Sequence, residues 1–318
     1  MKYFILFTLF LISQNVLAQD CSQTSTGFIP IADLGKDTFQ NFTGGKYPNG
    51  SNAIPLVHYN KGIELSKQIQ PLNIHGDIDT SNGGKIGFLV LGFSTAAMTG
   101  RYFRNMNEIL GINNKVEVII GAQGGQDINA MTSEKSTYWR NTDSIIQSNK
   151  LSAKQIQVVW ISTGDILNYK LPFPDQSTSQ IEKYRFMLMN IKIFYPNIKM
   201  VFISDRTYAG YIGNENGPQK LKEPTAYYTS WTVKWLIEKQ IKNEPGFTYS
   251  EIPFMDWGPM LWTDGEKGNT NGYTWNCDDA GKGGIHPSSK GRAKEAMLLY
   301  LFFTQHPYTK NWLYELSK

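Results

Sequence analysis

The sequence predicts an α/β protein, a three-layer α/β/α sandwich built on a parallel sheet of about five strands. Three observations predict it. Apolar runs rich in Val and Ile recur at 85–93, 115–122, 155–163, 199–205 and 251–256. Helix-like stretches with spaced apolar residues separate them. The first four runs are apolar on both sides, as in Phe88-Leu89-Val90-Leu91 and Val158-Val159-Trp160-Ile161, which is the pattern of strands covered on two faces. Strands that alternate with helices give parallel crossovers.

Each element has a local reason. The run at 85–93 ends at Gly92-Phe93-Ser94, and a helix is expected over 95–110. The stretch 178–194 carries spaced apolar residues and stops before Pro196. A third helix is expected over 224–242, with Pro224 at its start, where a missing N–H does no harm. The last, over 288–303, begins with Ser288 and Ser289, residues suited to N-capping. Residues 19–80 are rich in Asn, Gly, Ser, Asp and Thr and read as an N-terminal wrap of loops and short strands. The main domain is expected to span 81–318.

Residues 1–18 read as a secretory signal peptide: Lys2, a short apolar core from Phe4 to Ile12, and the exit Val16-Leu17-Ala18. That implies a secreted, periplasmic or cell-surface protein. No stretch reaches the roughly 18 apolar residues of a membrane span. Asp20 ahead of Cys21 argues against lipidation of that cysteine. The net charge of +4 comes without long runs of like charge, so nucleic-acid binding has little support. No His-x-x-x-His or clustered Cys/His spacing suggests a metal, and no cofactor is expected. Cys21 and Cys277 are the only cysteines, and in an oxidising compartment an intrachain disulfide between them is expected.

The chemistry concentrates at two places. Ser94 follows the first core strand, at the kind of strand end where parallel α/β sheets build sites. By itself a Gly-x-Ser turn fits an N-cap as well as a nucleophile. His286 stands out among four histidines: it alone sits in a glycine-rich loop before a core helix, Gly283-Gly284-Ile285-His286-Pro287. A serine and a histidine so placed suggest a nucleophile and its base. A third element, Gly121-Ala122-Gln123-Gly124-Gly125-Gln126-Asp127, follows the second strand, and its backbone N–H groups can point at a developing oxyanion.

Together these blocks resemble the SGNH, or GDSL-like, hydrolase superfamily, over roughly residues 85–305. Gly92-Phe93-Ser94 matches the Gly-Asp-Ser block except at its middle position. Gly124 or Gly125 matches the second-block glycine, and His286-Pro287 matches the last block. The resemblance implies a flavodoxin-like fold and a serine esterase acting on short acyl esters, such as acetyl groups on a carbohydrate or a small molecule. Ser94 would be the nucleophile, His286 the base, and Gly124, Gly125 and Gln126 the oxyanion or substrate-binding residues. The chain departs from the pattern twice. Gly164 stands where the family has an oxyanion asparagine, which leaves Gln123, Gln126 and Asn168 as replacements. Gly283 stands where the family has the aspartate that orients the histidine. Asp279 is the expected orienter, with Asp278, Asp256 and a Ser–His dyad assisted by a backbone carbonyl as alternatives. Trp257, Trp262 and Trp275 lie near the His286 loop in sequence and suggest a sugar-stacking surface. The missing asparagine and aspartate leave a second reading, a non-catalytic carbohydrate-binding or surface-interaction protein on a degenerate fold of this type.

Overall fold

The computed structural model describes residues 19–81, 83–213 and 219–313. The expected signal peptide lies outside them. Five parallel strands form one sheet: β1 Ile86–Gly92, β2 Val116–Ile120, β3 Ile156–Ser162, β4 Met200–Ser204 and β5 Phe254–Trp257. Their order is 2-1-3-4-5, the flavodoxin-like arrangement, so the chain reverses direction of growth at β1. The predicted strands are all present, and the fifth starts three residues late.

Successive side chains along each strand enter different cores. Phe88, Val90, Val118 and Phe202 pack on one face, with helices α2 (Ser94–Leu110) and α6 (Ser289–Gln305) supplying Phe103, Leu299 and Phe303. Leu89, Leu91, Ile161 and Ile203 pack on the other, beneath α3 (Thr137–Ser148), α4 (Asp175–Phe194) and α5 (Thr225–Ile241). This is why apolar residues occupy both faces of the strands, with polar ones confined to a few positions such as Glu117, Gln157 and Asp256.

Besides a single turn at Ile31–Leu34, two helices were not expected. One is α3, whose buried face is Tyr138, Trp139, Thr142 and Ile146. The other is α1 (Leu56–Ser66), inside the segment read as loops and short strands. The rest of that segment does wrap the domain. A short antiparallel ribbon, Thr38–Phe39 with Phe42–Thr43, packs its phenylalanines against Phe173, Tyr227 and Trp231. Cys21 and Cys277 form the expected disulfide. Asp264 holds the strap by accepting hydrogen bonds from Ser25 Oγ at 2.6 Å and from Thr26 N at 2.7 Å. Among the described residues no helix is long and apolar enough to cross a membrane.

The turn out of β1 depends on Gly92. Its φ is +125°, and a β-carbon there would lie 2.0 Å from the carbonyl oxygen of Ser162 on β3. Its N–H donates to the Tyr138 hydroxyl at 3.0 Å. Gly92→Ala is therefore expected to force β1 and β3 apart. Backbone strain alone costs about 1–3 kcal/mol. Thermal unfolding should show a clear loss of stability, and an unchanged midpoint would contradict this reading of the turn.

Candidate active site

Ser94 is the first residue of α2, with Phe93 in extended conformation before it. Its hydroxyl does not cap the helix. Ser94 Oγ instead lies 2.8 Å from Nε2 of His286, although the residues are 192 positions apart. The strand end fixes one partner and the loop before α6 fixes the other. That loop is held by backbone: Gly281 N donates to the His286 carbonyl at 2.7 Å, and Ala280 bridges Pro287. Ser288 caps α6 by accepting from Gly291 N, and Arg292 Nε donates to the Pro287 carbonyl at 3.0 Å. Burial, and secondly the Arg292 guanidinium, hold the His286 imidazole below its ordinary pKa. At neutral pH it is thus uncharged and able to take a proton.

Asp279 does not orient this histidine. Its Oδ2 accepts from Lys294 Nζ at 2.6 Å and from Asn276 N at 2.9 Å. Its Oδ1 faces Lys290 at 3.6 Å and is buried without a hydrogen bond. The carboxylate fastens the disulfide-bearing turn, Cys277–Asp279, to α6. The alternatives do not reach the imidazole either. Asp278 pairs with Lys290 at 2.6 Å on the surface, and Asp256 accepts from Tyr47 OH at 2.7 Å on β5. The arrangement is a Ser–His pair without a carboxylate behind it among the described residues.

The glycine turn after β2 lies against the serine. A β-carbon on Gly124 would stand 3.9 Å from Ser94 Cβ, and Gly125 lines the same cavity as Ser94. The first N–H groups of α2, which have no acceptor within the helix, begin at Ser94 itself. Gln126 does not line the cavity. Gln123 is committed elsewhere: its amide donates to the Tyr138 carbonyl at 2.9 Å and accepts from Asn141. Asn168 donates to Ser179 and also stays outside the cavity.

Ser94 and His286 open into a cavity of about 360 Å³. Its walls include Ile166, Tyr208, Leu221, Trp275 and Ile285. Trp275 alone of the three tryptophans reaches it. Trp257 and Trp262 are 1% and 0% exposed, and their indole nitrogens bond to the Lys46 carbonyl and to Glu223. They are core residues and offer no stacking surface. Sequence reasoning missed two contributors to the cavity. Arg206 and Thr207 follow β4, and nothing but that strand end marks them. Glu295 of α6 is buried between the hydroxyls of Thr99 and Thr207, and burial pushes its pKa up to about 7. It ties α2 and α6 to the cavity wall. Among the described residues no cluster of His, Cys, Asp and Glu could hold a metal ion.

No family model and no curated protein matches the chain. Solved structures do. A carbohydrate esterase family 3 protein from Talaromyces cellulolyticus is 14% identical over 67% of this chain and 93% of its own, with a TM-score of 0.39. A GDSL-like lipase from Bacteroides thetaiotaomicron is 13% identical, covering 77% and 95%, with a TM-score of 0.40. The periplasmic domain of a lipopolysaccharide acetyltransferase from Salmonella ser. Paratyphi A is 12% identical, covering 79% and 97%, with a TM-score of 0.38. The activities named are those of these proteins.

The lowered His286 pKa gives a pH prediction. If His286 acts as base, activity is present while the ring is neutral and falls as pH drops through its pKa. The acid limb of kcat/KM should therefore have its midpoint below the ordinary histidine value of about 6.5. Arg292→Met removes a repelling charge and should move that midpoint upward. Asp279→Asn should lower thermal stability and leave the midpoint in place. A large shift in Asp279→Asn would restore that carboxylate as the orienter.

Proposed function

We propose that the protein is a serine hydrolase of carboxylic esters with short acyl groups, acetyl being the simplest that fits. One observation carries this: the 2.8 Å contact between Ser94 Oγ and His286 Nε2 at the wall of a cavity. Nucleophile and base are already within hydrogen-bond reach, as the chemistry requires.

In this reading His286 Nε2 takes the hydroxyl proton as Ser94 Oγ attacks the ester carbonyl carbon. The carbonyl oxygen becomes an oxyanion. The backbone N–H groups of Ser94 and of the Gly124–Gly125 turn are the donors nearest to it, and the α2 N-terminus adds a favourable dipole. Collapse breaks the bond to the alkoxide, which leaves with the proton from His286. Water, activated by the same nitrogen, then releases the acid and regenerates Ser94. Each step moves one proton on and off one imidazole, so no carboxylate needs to titrate. A carbohydrate is a reasonable bearer of the acyl group if the protein is exported; Trp275 borders the cavity but is only 2% exposed and offers no open face to a sugar ring.

The test is hydrolysis of p-nitrophenyl acetate and of an acetylated oligosaccharide by wild type, Ser94→Ala and His286→Ala. Loss of about 10³-fold or more in kcat for both variants, with native circular dichroism, is expected. Activity unchanged by Ser94→Ala would remove the serine from this role. A wild type that binds the oligosaccharide but cleaves neither ester would favour the non-catalytic binding reading.

A further inference from the structure

The cavity that holds Ser94 has a one-sided charge. Arg206 and Lys220 line it, and among the described residues no aspartate or glutamate does. Lys220 is exposed at the rim, where water screens it. Arg206 is different. It is partly buried, and desolvation holds its pKa below the ordinary arginine value.

The fold places Arg206 beside the nucleophile. Gly92, Ser162 and Ser204 are register partners across β1, β3 and β4. Ser94, Gly164 and Arg206 each come two residues later, beyond the same ends of these three strands. Gly164 has no side chain, and the arginine passes over it: a β-carbon there would stand 3.1 Å from Arg206 Cδ. The guanidinium then lies 5.8 Å from the ring centre of Phe93, the neighbour of Ser94.

Two bonds aim the guanidinium and neither neutralises it. Nη1 donates to Thr225 Oγ1 at 3.1 Å and Nη2 to the Leu221 carbonyl at 2.9 Å. Arg206 makes no ion pair among the described residues. The nearest carboxylate whose charge it feels, Glu223, is engaged by Ala209 N, Tyr227 N and Trp262 Nε1. Arg206 Nε has no hydrogen-bond partner among the described residues and is not sealed from solvent, and the side chain lines the cavity. A desolvated cation whose only opposing carboxylate, Glu223, acts at a distance and is bonded elsewhere is incompletely compensated, and a ligand anion in direct contact reduces the penalty. The planar fork of a guanidinium matches a carboxylate.

We propose that the ester cleaved at Ser94 itself carries a carboxylate, which Arg206 binds inside the cavity. This names a substrate class and rests on the esterase reading above. The carboxylate belongs to the acyl half, as in a dicarboxylic acid monoester, or to the alcohol half, as in an acetylated uronic acid.

The experiment measures kcat/KM on two matched pairs. One is p-nitrophenyl hydrogen succinate against p-nitrophenyl butyrate. The other is an acetylated oligogalacturonate against an acetylated xylo-oligosaccharide. Wild type should prefer the acidic member of one pair by about 10-fold or more, and that pair identifies the half that bears the charge. Arg206→Gln should lower kcat/KM on that member by roughly 30-fold beyond its effect on the neutral partner, mostly through KM. Arg206→Lys should keep part of the preference, which separates charge from packing. No preference in wild type overturns the proposal, as does a preference that survives Arg206→Gln. An equal fall in kcat on acidic and neutral esters also overturns it and marks a role at the oxyanion or in folding. Ser94→Ala is run alongside. If it abolishes hydrolysis and the preference is absent, only the substrate class fails. If it does not, the esterase reading fails first.

Discussion

The chain leaves β1 at a place where no side chain fits between two strands. The Gly92 backbone approaches the Ser162 carbonyl so closely that only a hydrogen can occupy the gap. The positive φ that results turns the chain into α2, and Ser94 emerges at the helix start, at the reversal point of the sheet. Tyr138 completes the constraint from the opposite face by binding the Gly92 N–H. Sheet register, helix position and the direction of one hydroxyl are thus set by a single contact. His286 meets that hydroxyl from a loop fixed by backbone hydrogen bonds, and the pair needs no further group to hold it together.

The second constraint is the N-terminal strap. Its tie points are the disulfide to Cys277, the hydrogen bonds to Asp264 and the aromatic contacts around Trp231. All three act on segments beyond β4, the part of the chain with the longest loops. The disulfide closes a loop of 256 residues, and the chain-entropy model assigns about 5.5 kcal/mol to a closure of that size. Asp279 belongs to this scaffold. Its bond to Lys294 carries the constraint from the cystine into α6, and from there to the loop of His286.

The sheet was legible because burial on both faces leaves an unbroken apolar signature. Ser94 and His286 were legible because each falls at the boundary of such an element. The two unexpected helices lack that signature. Leu56 and Val57 of α1 are 72% and 77% exposed, so its apolar residues do not trace a buried stripe. The core face of α3 is made of Tyr, Trp and Thr, which resemble strand or loop residues in sequence. Asp279 was misread because proximity in sequence to a histidine says nothing of direction. The spacing Lys290–Lys294, four residues apart on α6, was the signal that a carboxylate would be claimed from that side. Trp257 and Trp262 were misread for a similar reason: a tryptophan near a site in sequence is as readily part of the core beneath it. Arg206 left no local pattern at all, since its position depends on register between strands far apart in the chain.

That register makes the cavity wall modular. Ser94, Gly164 and Arg206 each come two residues past the paired ends of three neighbouring strands. The backbone there is set by the sheet and by Gly92, and not by the side chains that face the cavity. Such a row behaves as a set of sockets. One holds the Ser94 hydroxyl, one is left vacant, and the third reaches across the vacancy. What fills the second and third can change without rebuilding the first, so the lining of the cavity can be altered while the Ser94–His286 contact stays where it is.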